Sequence, residues 1–448
     1  MAMEPFLSPG RKSIDLSRYV ALVDRVNPVQ TYGKVSEIVG LVVEGYGPAS
    51  SIGEVCLLYP NGGRKSLVAE IVGFRSGRIL LMPLETTQGL GPGSRIRCVG
   101  KMASVSVGPG LLGRVIDGLG NPIDQKGPVS CKEAYPIYAD PINPLARGRI
   151  REPLDLGIRV MNGLFTCGRG QRMGIFAGSG VGKSVLLGMI ARNTDADVNV
   201  IGLIGERGRE VREFLEKNLG EEGLSRSVVV VAPSDTHPLI RMRAAHVATT
   251  IAEYYRDQGK NVLLMIDSLT RFAMAQREIG LSVGEPPATK GYTPSVFSVL
   301  PKLLERSGSL EGSGSITGIY TVLVEGDDLN EPISDTARSI LDGHVVLSRE
   351  LANRNHYPAI DILGSISRVM VDIVDEEHSR LASEMIRIVA TYRKAQDLIH
   401  IGAYVNGSSP EIDRAIRMID RVNGYMKQGM DESVTLQESK ALMKELLK

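Results

Sequence analysis

Residues 177–184 read Ala-Gly-Ser-Gly-Val-Gly-Lys-Ser, and this order of glycines, ammonium and hydroxyl suits a phosphate ester. Donors must converge on phosphate oxygens, and glycine lets the backbone curl enough for successive N–H groups to do so. Gly178, Ser179, Gly180, Val181 and Gly182 supply that curl, and Val185 carries the cradle into the next turn. A helix opening at Lys183 would aim the positive end of its dipole at the same anion. Lys183 would then reach the β- and γ-phosphates of a nucleotide such as ATP, and the Ser184 hydroxyl suits Mg2+. The pattern departs from the usual phosphate loop in one place, where Ala177 replaces a first glycine.

Two carboxylates extend this chemistry. The run NVLLMID, 261–267, is apolar until Asp267, and in a parallel sheet the carboxyl ends of the strands carry the ligands. Asp267 would hold Mg2+ directly or through water. Phosphoanhydride hydrolysis also needs a positioned water, and Glu206 of GERGRE, 205–210, can polarise one in line with the γ-phosphate. Arg207 and Arg271 can compensate charge there. An ion-pair network at a helix start would account for the same cluster, and a buried strand can end in an aspartate with no ligand.

The positioning elements are an α/β frame. Strands are expected at 172–177, 198–205, 227–233, 261–268, 318–326 and 344–348, with helical segments between them, which makes a parallel sheet. Upstream, 29–100 is a series of short glycine-punctuated strands with an Asn61-Gly62 turn signal, the pattern of a small closed barrel. From about 371 the chain reads as helices, one capped by Ser408 or Ser409 and the last by a Thr435–Glu438 capping box. At the start, Leu16, Tyr19, Val20, Val23 and Val26 share one face of a short helix over 14–26. That face either docks a partner or packs on the next domain. The expected domains are 1–27, a docking helix; 28–100, the barrel; 101–370, the nucleotide-binding domain; and 371–448, the helical domain.

Composition narrows the function classes. A chain of 448 residues, 43% hydrophobic and 23% charged, can bury a large core in two or three domains. A formal net charge of +1 removes the simplest argument for a nucleic-acid partner. Cys56, Cys98, Cys131 and Cys167 form no C-x-x-C pair and read as reduced, small apolar side chains. The first residues carry no apolar signal segment, and no 18-residue apolar run occurs. The expected location is cytoplasmic, with membrane contact through a partner.

Several longer stretches carry a family resemblance. GLLGRVIDGLGNPID (110–124), the phosphate loop, GERGREV and PAIDILGSIS (358–367) together resemble the F1/V-type rotary ATPase subunits. CGRGQRMGIFAGSGVGKS and REIGLSVGEPPATKGYTPSVFSVLPKLLER resemble the type III protein secretion ATPases, and YADPINPLARGRIREPLDLGIRVMNGL is most similar to the flagellar protein export branch. The resemblance spans 28–448. It implies an N-terminal β-barrel, a central RecA-like P-loop ATPase core and a C-terminal helical domain, assembled as a homohexameric ring with ATP and Mg2+.

The resemblance also implies roles. Arg368 would be an arginine finger reaching a neighbour's γ-phosphate, Tyr357 would stack on adenine, and Glu210 would stand near the metal's waters. From the residues alone, Tyr357 reads better as a packed loop tyrosine. Implied partners are a stator-like regulatory protein at the first helix, a central stalk protein, export-gate membrane proteins and chaperone–cargo complexes. The implied location is the cytoplasmic side of the inner membrane at the flagellar base. Glu206 and Arg368 in one chain imply six equivalent sites. Other readings within or near the family are a virulence-type secretion ATPase, a rotary-synthase catalytic subunit, from which IGAYVNGSSPEID (401–413) differs by lacking an acidic loop, and a ring-shaped RNA translocase.

Overall fold

The computed structural model describes residues 16–23, 30–62, 65–324, 326 and 328–448. Of the helix expected over 14–26, Ser17–Val23 (α1) is helical, with Tyr19, Val20 and Val23 exposed; residues 14–15 and 24–26 lie outside the described residues.

The first compact unit is a closed barrel. Its strands are β1 (Gly33–Val39), β2 (Val42–Tyr46), β3 (Glu54–Tyr59), β4 (Leu67–Arg75), β5 (Arg78–Pro83) and β6 (Arg95–Met102). They run in the order β1-β2-β5-β4-β3-β6, and β6 closes antiparallel on β1. Alternation sends every second side chain inward, so Val35, Val43, Leu58, Ile71, Leu81 and Ile96 fill the barrel. The stretch 33–47 makes two strands because Gly40, at φ +57°, turns the chain back. Gly62 (φ +98°) lies in the turn expected at Asn61-Gly62. Cys56 and Cys98 bring their thiols within 3.1 Å in this interior, and all four cysteines are free.

The second compact unit runs from 102 to 448 and includes 40–42. Its sheet strands are β7 (Arg114–Asp117), β8 (Arg172–Ala177), β9 (Val198–Ile204), β10 (Ser227–Ala232), β11 (Asn261–Asp267), β12 (Ser315–Leu323), β13 (Gly343–Leu347) and β14 (Ile360–Ser367). Their order is β14-β13-β8-β12-β11-β9-β10-β7, parallel throughout except at β14. Central strands such as SVVVVA of β10 are buried along their whole length, because helices cover both faces of a parallel sheet. Its helices include α2 (Arg159–Leu164), α3 (Lys183–Asn193), α4 (Gly208–Glu213), α5 (Pro238–Asp257), α6 (Leu269–Ser282), α7 (Pro294–Leu304) and α8 (Pro332–Ile340), then α9 (Glu376–His400), α10 (Pro410–Met426) and α11 (Leu436–Leu446).

The wholly parallel sheet expected from sequence needs correction at its edge. β14 is antiparallel, and neither β14 nor β7 shows the continuous apolar run of a buried strand: three of the eight residues of β14 are buried, and β7 has four residues. The strand expected at 318–326 lies at Ser315–Leu323, since pairing of Asn261 with Ser315 sets its start. The last helices meet their expected caps: Ser409 rather than Ser408 caps α10, and the Thr435–Glu438 box opens α11. Their Met385, Val422, Tyr425 and Met443 share one apolar core with Leu164 and Phe165 near α2. No described helix is long and apolar enough to cross a membrane.

Candidate functional site

β8 ends at Ala177 and α3 begins at Lys183. Between them Gly180 (φ +76°) and Gly182 (φ +91°) hold left-handed backbone, which turns the loop across the carboxyl edge of the sheet. Gly182 is required twice over. A Cβ there would also press on the Tyr357 ring at 3.3 Å. Val181 is buried and anchors the loop in the core, whereas Ser179 and Ser184 are exposed. Gly178 is buried.

Three strand ends converge on this loop. Lys183 Nζ donates to Asp267 Oδ1 at the end of β11 and to Glu206 Oε1, 3.3 Å away, just beyond β9. Thr321 of β12, the strand between β8 and β11, donates its hydroxyl to Asp267 Oδ1 at 2.6 Å. Burial works against the Lys183 charge, but Asp267 and Glu206 outweigh it and hold the ammonium pKa above the usual lysine value. Burial also raises Glu206, whose carboxyl is pushed up to about 7. Lys183 opposes that rise, and the Asp267 charge and a hydrogen bond with Glu210 add to it.

The other charged candidates divide. Arg271 packs its aliphatic stem against Gly205, next to Glu206, and its Nε is buried with no hydrogen-bond partner among the described residues. Arg207 caps the start of α4 and turns outward, 77% exposed and paired with Glu210 at 3.5 Å. Among the described residues no three His, Cys, Asp or Glu side chains gather to hold a metal. The donor set does fit Mg2+, which takes one or two protein oxygens and completes its shell with phosphate and water. Asp267 and Ser184 are such hard oxygen donors beside the loop.

Next to the loop lies a cavity of about 670 Å³, lined by Gly180, Gly182, Val185, Met189, Tyr357 and residues 427–430. It has one aromatic face, aliphatic walls and the phosphate loop at its rim, the form expected of a purine pocket. Residues 427–430 are held in place from several sides. Gln428 donates its backbone N–H to the Tyr357 carbonyl at 2.9 Å and its amide to Gly157 O at 2.8 Å, while Arg192 at the end of α3 donates to Met430 O at 2.7 Å. Arg349 Nη1 donates to Ser179 O at 3.1 Å from the far side of the loop. Sequence reasoning missed Thr321, Arg349 and 427–430. Thr321 sits in an ordinary strand run, and the others lie 170 to 250 positions away with no motif of their own.

Arg368 is not brought to this loop. β8 pairs with β13 from Met173–Gly343 to Ala177–Leu347, and β13 pairs with β14 from Leu347–Ile360 to Gly343–Ser367. The Ile360 end of β14, next to Tyr357, is therefore at the loop edge, and Arg368 follows Ser367 at the opposite edge. Five residues of strand separate the edges by roughly 15–20 Å. A single chain cannot direct Arg368 at its own phosphate loop.

Known proteins resemble this chain in sequence and fold. The nucleotide-binding domain of the ATP synthase alpha/beta family matches residues 157–367, the β-barrel domain of that family matches 35–100, and the T3SS EscN ATPase C-terminal domain matches 374–445. The flagellum-specific ATP synthase of Bacillus subtilis (strain 168) is 53% identical over 431 residues, 95% of this chain and 97% of the relative. The type 3 secretion system ATPase of Xanthomonas euvesicatoria is 52% identical over 401 residues, 90% of each chain. The assembled ATPase EscN of the enteropathogenic E. coli type III secretion system superposes with a TM-score of 0.88 at 46% identity, over 93% of this chain and 100% of that one. EscN in complex with its central stalk EscO gives a TM-score of 0.86.

Proposed function

This chain belongs to the ATP synthase alpha/beta family, on its type III secretion side, and from that premise we propose that it hydrolyses ATP to drive flagellar type III protein export. The observation that carries the reading is the Lys183 cluster: one ammonium held between two carboxylates at the mouth of a glycine loop. An incoming triphosphate competes for that ammonium. When Lys183 turns to the phosphates, Asp267 and Ser184 would be free to hold Mg2+, and Glu206 would be free to hold a water in line with the γ-phosphorus. Bound there, Mg2+ would neutralise charge on the phosphate oxygens. Arg271 lies beside this site to compensate charge, Glu210 would order the metal's waters, and Arg207, which here turns outward with Glu210, would swing in to add its charge. Tyr357 stacks on the base.

Arg368, at the far edge of the sheet, would serve a second copy. The likeness to assembled EscN supports a ring in which each site takes Lys183 and Glu206 from one subunit and Arg368 from the next. The likeness to the EscN–EscO complex supports a central stalk partner. The proposal extends to a stator-like partner at the first helix, to export-gate proteins and chaperone–cargo complexes as clients, and to a cytoplasmic, membrane-peripheral location.

Two measurements test this function. Phosphate release per chain is expected to rise with protein concentration as rings form; a constant specific activity from dispersed chain to ring would sink the shared site. The second measurement is pH dependence. Water polarisation needs the Glu206 carboxylate, whose pKa burial pushes up to about 7. kcat/KM, which reports the free enzyme, is therefore expected to climb between about pH 6 and 8, and Glu206→Gln to leave a low, flat profile. A wild-type profile already flat at pH 6 would remove Glu206 from the water's side.

A further inference from the structure

β8 has a second occupied end. At its start, opposite the phosphate loop, Arg172 clamps Asp342 through its guanidinium: Nε to Oδ2 and Nη2 to Oδ1, each at 3.0 Å. The Arg172 backbone N–H adds a third bond to Oδ2, also at 3.0 Å. Glu305 pairs with the remaining guanidinium nitrogen. Asp342 in turn holds Arg368, whose backbone N–H donates to the Asp342 carbonyl at 3.0 Å. Gln171, fully buried, donates its amide to that same carbonyl at 3.2 Å and to the Ser367 hydroxyl at 3.1 Å. Ser367 donates onward to Thr166 O at 2.9 Å. The exposed guanidinium of Arg368 rests on the Arg338 carbonyl at the end of α8, at 3.3 Å.

We infer that Asp342, locked by Arg172 and Gln171, is the mount that aims Arg368 at the neighbouring subunit's nucleotide. The inference rests on the reading of Arg368 as a finger acting between copies. Arg368 follows the end of an edge strand, and its exposed guanidinium is held by one hydrogen bond, to the Arg338 carbonyl. Its backbone must be fixed if the charge is to arrive in place, because catalytic geometry tolerates errors of well under 1 Å. The bidentate Arg172–Asp342 fork provides that fixity. One strand thus carries the phosphate loop at one end and, at the other, Arg172, which holds the mount of the finger lent to the neighbour. Asp342 and Arg172 are positioning residues and touch no nucleotide.

The test is complementation between copies. Asp342→Asn keeps the side-chain shape and presents an amide to Arg172, and Arg172→Lys keeps the charge and loses the fork. Each is expected to lower kcat about tenfold, with KM and the affinity for a fluorescent ATP analogue within about twofold. Asp342→Asn is then mixed as dispersed chain with an equal amount of Lys183→Ala and allowed to assemble. About a quarter of interfaces then join an intact loop to an intact finger. The mixture is expected to recover about a quarter of wild-type activity, against about a twentieth without complementation. Arg368→Ala mixed with Lys183→Ala runs alongside. If that mixture recovers and the Asp342→Asn mixture does not, or if Asp342→Asn and Arg172→Lys both lose nucleotide affinity, the mount is overturned and the finger stands. If neither mixture recovers, the finger reading itself falls, and the mount with it.

Discussion

A strain carrying Lys183→Ala at the native locus is expected to stop exporting hook and filament protein while its cellular ATP synthesis continues. The change removes the only ammonium that Asp267 and Glu206 share among the described residues. Turnover of the purified variant should fall by at least about 10²–10³-fold, the usual loss when one donor to a developing phosphoryl charge is deleted. The fold should survive. Asp267 and Glu206 would otherwise repel, but Glu206, already pushed up to about 7 and no longer held down by Lys183, can relieve this by taking a proton. Thermal unfolding of the variant separates lost chemistry from lost structure. Normal export with failing ATP synthesis would instead make this chain a rotary-synthase subunit.

Arg368→Ala is expected to lower kcat by about 10³-fold or more, the range for an arginine finger, with nucleotide affinity nearly unchanged. The separation of effects follows from geometry. Tyr357, Gly182 and 427–430, which line the cavity beside the loop, lie at the opposite edge of the sheet from Arg368. Removing the guanidinium breaks one hydrogen bond, to the Arg338 carbonyl, and opens no cavity, because the side chain is exposed. Equilibrium binding of a fluorescent ATP analogue and single-turnover hydrolysis give the two numbers. A collapse of affinity with unchanged turnover per bound ATP would move Arg368 out of the finger role and into the structure of its own subunit.

These two residues also mark what could be read before folding. The phosphate loop was legible because its requirements are local: glycines at the left-handed positions 180 and 182, and Lys183 at the first turn of the helix that follows. The inner strands were legible for a similar reason, since burial on both faces leaves an unbroken apolar run such as 227–232. The capping box at Thr435 and Glu438 needs four neighbouring residues and nothing else. The edge strand Ile360–Ser367 was not legible as a strand, because Asp361, Gly364, Ser365 and Ser367 break its apolar pattern.

Placement is another matter. That Thr321 would meet Asp267, that 427–430 would wall the cavity beside the phosphate loop, and that Arg368 would face away from its own loop follow from pairing between segments far apart in the chain. Strand register assigns each residue to one edge of the sheet or the other, and no local preference encodes it. The sequence by itself determined which chemistry the chain carries. Only the tertiary structure decided that this chemistry is divided between two edges of one sheet, because the hydrogen-bond ladders from β8 through β13 to β14 place Tyr357 beside the loop and Arg368 some five residues of strand away.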